Sequence, residues 1–112
     1  MLDALAAERL LDESRFAESF VHARVGRGQG PARIRAGLRE RGVDESLVEA
    51  ALAGAEVDWC ELAGQVRRKR FGDGLPREAR ERARQMRFLQ QRGFTPEQIR
   101  QAIERAGVPG SE

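Results

Sequence analysis

An internal repeat with two fixed offsets constrains this chain more than any other feature of its sequence. Residues 33–52 superimpose on residues 84–103 at an offset of 51, and each copy carries an Arg-Gly pair. Residues 12–26 superimpose on residues 58–72 at an offset of 46, so the second copy has five extra residues between its first two segments. Repeats of this length are supersecondary units that bury their apolar faces against one another, and the sequence therefore predicts a tandem array.

Each copy contains three segments whose apolar residues recur with helical spacing, and the alternation typical of strands is absent. The predicted core stripes are Phe16, Phe20 and Ala23; Ile34 and Leu38; Leu47, Val48, Ala51 and Leu52; Trp59, Leu62, Ala63 and Val66; Ala79, Ala83, Met86 and Leu89; and Ile99, Ala102, Ile103 and Ala106. These six stripes predict an all-α fold of tandem three-helix repeats in an elongated, curved helical array.

Residues with strong capping preferences stand at the predicted helix boundaries. The predicted N-terminal signals are Asp12, Asp58, Pro31, Pro76 and a capping box over residues 95–98. The predicted C-terminal signals are Gly42 and Gly93, where a helix needs a left-handed residue.

The offset of 46 also extends upstream, where it places Leu2 on Val48 and Leu5 on Ala51. Residues 1–11 are therefore predicted to be the last helix of a preceding repeat, and a short N-terminal capping helix is the alternative. The predicted domains are residues 1–11, residues 12–57 as one three-helix repeat, and residues 58–112 as a second repeat with a longer first loop.

Residues that could carry catalysis or hold a metal are scarce. His22 and Cys60, the chain's one histidine and one cysteine, lie in different repeats, so neither a Cys/His nucleophile nor a metal cluster is predicted. The glycines of residues 26–30 match a phosphate-binding loop in composition only, because no strand precedes them and no Gly-Lys-Ser/Thr follows. We expect no enzyme activity and no cofactor.

The sequence also bears on where the protein is expected to reside. No apolar run approaches the roughly 18 residues that a membrane span needs, and no secretion signal is evident at the N-terminus. A single cysteine offers no disulfide framework, which favours a reducing compartment. A cytoplasmic protein without membrane contact is therefore expected.

Positive charge is concentrated in two stretches of a nearly neutral chain. The net charge is +2, yet residues 24–41 carry +5 and residues 67–92 carry +7, so the remainder is acidic. Nineteen of the 20 cationic residues are arginine. Codon bias is one explanation of this excess, and recognition of phosphate or carboxylate by the planar guanidinium is the other.

The predicted contact residues lie in these two stretches. They are Arg33, Arg35, Arg39, Arg67, Arg68, Lys69, Arg70, Arg77, Arg80, Arg84 and Arg87. The last four are spaced 3, 4 and 3 residues apart, which places them within about 80° on one side of the predicted fifth helix. A solvated face paired with Glu78 and Glu81 is the alternative. No aromatic platform interleaves the cations in the sequence, so base-specific readout is not predicted.

Two stretches of the first repeat are similar to the RecX family of regulatory proteins. They are residues 11–21, LDESRFAESFV, and residues 30–43, GPARIRAGLRERGV. Residues 67–71, RRKRF, and 87–94, RFLQQRGF, resemble the C-terminal repeat of the same family. RecX proteins usually carry three such repeats, whereas this sequence holds two and the last helix of another.

The resemblance implies a bacterial protein of DNA repair and the SOS response. It would bind the RecA recombinase, or RecA filaments on DNA, and restrain their strand-exchange, ATPase and coprotease activities. We expect a monomeric rod whose basic side lies in the filament groove and touches RecA and DNA phosphates. The contact residues named above rest on the charge pattern alone. The competing hypothesis is a stand-alone basic helical DNA-binding module without a RecA partner.

Overall fold

The computed structural model describes residues 4–106 as an all-helical chain, with no strand in that range. The helices are α1 (Ala4–Gly26), α2 (Pro31–Glu40), α3 (Glu45–Gly54), α4 (Trp59–Phe71), α5 (Ala79–Gln91) and α6 (Pro96–Ala106). In each half, the first helix packs on the third and the second helix contacts both. The predicted all-α array of three-helix units is confirmed, and Leu2 and residues 107–112 of the prediction lie outside the described residues.

Helix α1 is longer than the sequence predicted. Residues 4–10 are helical, but they continue without interruption into the first helix of the first repeat. The prediction that Asp12 caps a new helix is wrong, because no proline and no glycine interrupts the chain before Gly26. An aspartate inside a helix costs less than about 1 kcal/mol relative to alanine, which is too little to end it.

The buried stripe of α1 differs from the predicted one. Ala17 and Val21 are fully buried, whereas Phe16 is 45% exposed and Ala23 is exposed. Small and β-branched side chains thus face α3, and the half-buried Phe20 ring lies at the edge of the core.

The stripe of α5 differs as well. Leu89 is buried as predicted, but its buried companion is Gln85, while Met86 is 42% exposed and Ala79 is exposed. A polar side chain enters this core because it meets a buried partner from α4, described below.

The two repeats have separate apolar cores that meet at one side chain. One core lies among α1–α3 and the other among α4–α6. The partly buried Trp59 ring packs against both cores. This serial arrangement is elongated, with extents of 59 × 29 × 19 Å and a radius of gyration of 17.0 Å. A compact domain of this length would have a radius of gyration of about 13 Å.

Most predicted caps are present. The Asp58 carboxylate accepts from the Glu61 backbone N–H at 3.0 Å, and Thr95 and Gln98 form the predicted reciprocal capping box. Gly42 and Gly93 both adopt a positive φ.

The start of α5, like Asp12, departs from the predicted boundary. The helix begins at Ala79 and not at Pro76, so residues 72–78 form an irregular connection between α4 and α5. This connection, which we call the α4–α5 loop, has seven residues where the first repeat has four, and α5 has 13 residues where α2 has 10.

The repeats are joined where the N-terminus of α2 meets the C-terminus of α5. The Gly30 N–H donates to the Arg92 carbonyl at 2.7 Å, and the Ala32 N–H donates to the Gly93 carbonyl at 2.9 Å. The positive end of one helix dipole thus faces the negative end of another. A Cβ atom on Gly30 would lie 2.5 Å from the Gly93 carbonyl, and one on Gly93 would lie 2.6 Å from the Arg33 nitrogen. The joint therefore requires glycine on both sides.

No helix within residues 4–106 combines the length and the hydropathy that a membrane span needs.

Candidate functional site

A groove between the two repeats forms a strongly basic concave surface. It encloses about 690 Å³ between the C-terminal end of α1 and helices α4 and α5. Its charged lining residues are Arg27, Lys69, Arg70 and Arg92, and no carboxylate lines it. Its apolar lining residues are Val25, Leu62, Val66 and Phe88. We call this feature the inter-repeat groove.

The joint between the repeats holds the groove in shape. Arg92 follows the last turn of α5, and its Nη1 donates to the Arg27 carbonyl of the first repeat at 3.1 Å. The Arg92 guanidinium also lies 5.3 Å from the centre of the Phe88 ring. Two elements from different repeats are thereby fixed on opposite sides of the groove.

Arginine and phenylalanine side chains alternate in a row that begins at three groove residues, Arg70, Phe88 and Arg92. The Phe71 and Phe88 rings meet edge to face with centroids 5.3 Å apart. The Arg70 guanidinium lies 5.6 Å from one ring and 5.7 Å from the other, and Arg84 lies 5.0 Å from Phe71. We call Arg70, Phe71, Arg84, Phe88 and Arg92 the Arg–Phe stack. Such contacts contribute about 0.5–1 kcal/mol each at exposed sites.

This stack corrects the prediction that no aromatic side chains interleave the cations. Phe71 ends α4 and Phe88 lies in the last turns of α5, so the two rings are neighbours only after the helices pack. Seventeen positions separate them in the chain, and no local pattern connects them.

The predicted contact residues of α2 are largely engaged within the first repeat. Arg35 Nε and Nη2 donate to the Glu49 carboxylate at 2.6 and 3.2 Å, and Arg39 Nε and Nη2 donate to Glu45 at 2.9 and 2.8 Å. The hydrogen bonds from Arg39 hold the pKa of Glu45 below its ordinary value. Arg33 belongs to the joint, where its Nη1 donates to the Gln91 carbonyl at 3.1 Å.

The structure contradicts the prediction that Arg67 is a contact residue, because its side chain is fully buried. Its Nη1 donates to Gln85 Oε1 at 3.2 Å and to the Gly74 carbonyl at 3.1 Å, and its Nη2 donates to the Asp73 carbonyl at 3.4 Å. Burial lowers the pKa of Arg67, but a guanidinium stays protonated in proteins. Arg67 therefore anchors the α4–α5 loop from inside the second repeat.

The predicted arginine face of α5 divides into three environments. Arg77 lies in the α4–α5 loop and not in α5 as predicted, because the helix begins two residues later. Arg84 is paired with Glu81 at 3.0 and 3.2 Å, and these bonds lower the pKa of Glu81. Arg80 and Arg87 are exposed and form no ion pair within residues 4–106. Of the four arginines predicted to share one face of α5, only Arg80 and Arg87 are thus both in the helix and without an ion pair within residues 4–106.

The cationic side chains at the end of α4 also lie in different environments. Arg68 approaches Glu61 at 3.7 Å, whereas Lys69 and Arg70 line the inter-repeat groove. Sequence reasoning missed two residues of this groove, Arg27 and Arg92. The repeated Arg-Gly pair was a signal for Arg92, since that pair reappears at the joint.

The described residues hold no constellation typical of an active site. His22 is exposed, Cys60 is half-buried, and no three metal-ligating side chains cluster within residues 4–106. The chemistry that the groove offers is recognition of anions by guanidinium and ammonium groups beside an apolar floor.

Comparison with known proteins connects both repeats with one family. Residues 12–52 match the family model described as RecX, second three-helix domain, and residues 56–103 match RecX, third three-helix domain. A regulatory protein RecX of Halorhodospira halophila is 55% identical over 106 residues, which are 95% of this chain and 66% of that protein.

Two further relatives carry the same printed name. A regulatory protein RecX of Chromohalobacter salexigens is 49% identical over 106 residues, covering 95% of this chain and 69% of the relative. One of Serratia proteamaculans is 48% identical over 89 residues, covering 80% of this chain and 53% of the relative. The chain thus spans about half to two-thirds of the length of the curated relatives it matches.

Proposed function

Because the chain belongs to the RecX family of regulatory proteins, we propose that it binds RecA on DNA and restrains RecA's strand-exchange, ATPase and coprotease activities. The proposal takes the RecA partner from the family resemblance. It places the protein in the cytoplasm, where DNA repair and the SOS response occur, and gives the chain a binding role and not a catalytic one.

The observation that supports this function best is the continuity of the inter-repeat groove with the Arg–Phe stack. Arg70, Phe88 and Arg92 belong to both features. Together they present cations and aromatic rings beside a concave surface without a carboxylate. An acidic protein surface and a DNA backbone are the complementary partners of such a surface.

The proposed mechanism is steric and electrostatic. A rod 59 Å long that lies along a filament groove would exclude an incoming duplex from the part it covers. The groove cations would neutralise DNA phosphates or RecA carboxylates, and no covalent step on this chain is needed. A monomer suffices for this role, because both walls of the groove come from one chain.

The test is the rate of ATP hydrolysis by RecA on single-stranded DNA in the presence of this protein. Wild-type protein should inhibit hydrolysis, and Lys69→Glu should weaken inhibition about tenfold, because it puts a negative charge where an anionic partner would bind. Arg105→Glu makes the same kind of charge reversal at an exposed site on α6 and should inhibit like the wild type. RecA hydrolysis that wild-type protein leaves unchanged would overturn the proposal.

A second candidate is a stand-alone DNA-binding module, and the Arg–Phe stack favours it. Aromatic and guanidinium planes suit the bases of a single strand, and each stacked base contributes about 1–3 kcal/mol. This candidate predicts tight binding to bare single-stranded DNA at moderate salt, with a steep salt dependence. A protein that acts only by competing for DNA should lose its inhibition of RecA when DNA is in excess. Inhibition of RecA ATP hydrolysis that persists at saturating DNA and limiting RecA would therefore exclude this candidate.

A further inference from the structure

We propose that the inter-repeat groove is a binding site for a free nucleoside polyphosphate, a ligand beyond the proposed RecA partner. The groove has the size of a small-molecule site, since such sites usually enclose about 300–1,000 Å³. Its lining also separates into a cationic part and an apolar part. A nucleoside polyphosphate has the matching division into a polyanionic chain and a flat base.

The cationic part of the groove suits linked phosphates. Arg27, Lys69, Arg70 and Arg92 converge from three elements of the chain on one cavity. No ion pair within residues 4–106 occupies Lys69 or Arg70, so their charge is available to a ligand. Four convergent cations without a carboxylate leave excess positive charge, which several linked phosphates would neutralise better than one carboxylate.

The guanidinium groups of the groove are also pre-organised. Arg92 is held by its bond to the Arg27 carbonyl, and Arg70 lies against the Phe71 and Phe88 rings. A guanidinium that stacks through its face keeps N–H donors at its edge, and these donors match a phosphate in a planar, bidentate manner. Holding them in place before binding reduces the side-chain entropy that a ligand must offset.

The apolar part of the groove suits a base. Val25, Leu62 and Val66 contribute aliphatic surface from both repeats, and Phe88 contributes a half-buried ring. Gln65 supplies an amide beside these groups, which can donate to and accept from the edge of a base. No carboxylate is present to hold a metal ion, so the phosphates are expected to contact the cations directly.

A compact ligand fits these observations better than a DNA strand or an acidic peptide. The charges converge on one cavity, whereas a strand spaces its single negative charges along its length. An acidic peptide would also need partners for its backbone N–H groups, and Gln65 is the only neutral polar side chain among the residues that line the groove.

The test is isothermal titration calorimetry of the whole chain without RecA, with ATP as the titrant and no divalent cation. We expect saturable binding tighter than about 1 mM. Lys69→Gln should weaken this binding about tenfold, because it removes a charge-assisted contact without disturbing a buried group. Arg105→Gln removes one positive charge from exposed α6 and should bind ATP like the wild type.

Further titrants separate ATP from other anions. Adenosine and tripolyphosphate should each bind more weakly than ATP, since each fills one part of the groove. Three other anions could overturn the proposal, namely tripolyphosphate, a short oligothymidylate and polyglutamate. Any one of them would do so if it bound as tightly as ATP and depended on Lys69 to the same extent. Absence of ATP binding at about 1 mM would overturn it as well.

These outcomes are distinct from a failure of the proposed function. RecA inhibition by a chain that does not bind ATP would refute only the nucleotide site. ATP binding by a chain that leaves RecA unaffected would refute only the RecA role.

Discussion

The two repeats bury different chemistry at equivalent positions. In the first repeat, Val21 of α1 and Ile34 of α2 are fully buried in the apolar core. The offsets of 46 and 51 place Arg67 and Gln85 at the same positions of the second repeat, where they are 0% and 3% exposed and hydrogen-bonded to each other. One three-helix scaffold thus accepts either an apolar pair or a polar pair, and only the polar pair anchors a loop.

The repeats also differ on the surface between their second and third helices. Two ion pairs clamp α2 to α3 in the first repeat, namely Arg35–Glu49 and Arg39–Glu45. The offset of 51 places Met86, Arg100, Gln90 and Pro96 at these four positions of the second repeat. The first repeat therefore uses its arginines to join its own helices, whereas Lys69 and Arg70 of the second repeat face the groove.

The largest expected effect concerns two glycines at equivalent positions. Gly93→Ala would put a Cβ 2.4 Å from the Arg33 Cβ at a φ of +100°, and we expect a loss of about 3–5 kcal/mol in the free energy of unfolding. Gly42→Ala meets no atom within 4 Å at a φ of +76°, and only about 1–2 kcal/mol should be lost. Urea unfolding of both variants measures the difference. Equal losses would show that the joint between the repeats is not tightly packed.

The buried polar pair comes next and is tested by making the second repeat resemble the first. Arg67→Val removes the donor to Gln85 Oε1 and to two loop carbonyls, so we expect a loss of about 2–3 kcal/mol. Arg67→Val combined with Gln85→Ile should lose less than the sum of the two single changes, with a coupling of about 1–2 kcal/mol. Urea unfolding gives these free energies, and additive losses would contradict the pairing.

The same variants separate core packing from loop anchoring. Hydrogen exchange in residues 72–78 should accelerate in Arg67→Val and stay fast in the double variant, because both lack the donor to the loop carbonyls. Slow exchange restored in the double variant would show that the loop does not depend on Arg67.

A smaller effect is expected from releasing the arginines of the first repeat. Glu45→Gln and Glu49→Gln together free Arg39 and Arg35, and the affinity for a DNA oligonucleotide should rise about two- to threefold. Fluorescence anisotropy at constant salt measures this gain. The matched control is Glu8→Gln together with Glu18→Gln, which alters net charge by the same amount at two exposed sites on α1 that form no ion pair within residues 4–106. A gain as large in this control would assign the effect to net charge.

The smallest effect is on pH dependence. Hydrogen bonds from Arg39 and Arg84 lower the folded-state pKa of Glu45 and Glu81 respectively. Their contribution to stability is therefore complete above the unfolded pKa of about 4.3 and is lost as the pH falls through the lower folded value. The melting temperature should decline slightly below about pH 4, as thermal unfolding by circular dichroism would show.

The two glutamates differ in what they join, which gives this prediction its control. Glu45 links α3 to α2, whereas Glu81 and Arg84 lie three residues apart on α5. Glu45→Gln should reduce the acid-induced fall in melting temperature more than Glu81→Gln does. If Glu45→Gln left the fall in melting temperature at low pH unchanged, the Arg39–Glu45 pair would not stabilise the contact between α2 and α3.

The fold was largely predictable because its determinants are local and repeated. Helical spacing and the glycine stops recur in both copies, so each copy supports the other, and the capping box at Thr95 marks the start of α6. The errors arose where a signal was weak in isolation. Asp12 has the preference of a cap but lies inside α1, because nothing next to it ends the helix.

The candidate site was less predictable because it depends on contacts between distant residues. Charge counting drew attention to Lys69 and Arg70, but it could not distinguish them from Arg67, which lies in the same run and points into the core. Arg27 and Arg92 meet only through the joint between the repeats. A pattern within one helix carries no information about such pairs.

The central claim is that the second repeat and the joint carry the contact surface, while Arg35 and Arg39 of α2 serve the first repeat. The most direct measurement compares two doubly substituted proteins for the concentration that half-inhibits RecA ATP hydrolysis. Lys69→Gln with Arg70→Gln should raise this concentration tenfold or more. Each change removes a charge-assisted contact of about 1.5–3 kcal/mol, and hydration of the partner's freed group offsets part of that loss. Arg35→Gln with Arg39→Gln removes the same charge and should raise it less than about twofold. An equal or larger effect of the α2 pair would contradict the account.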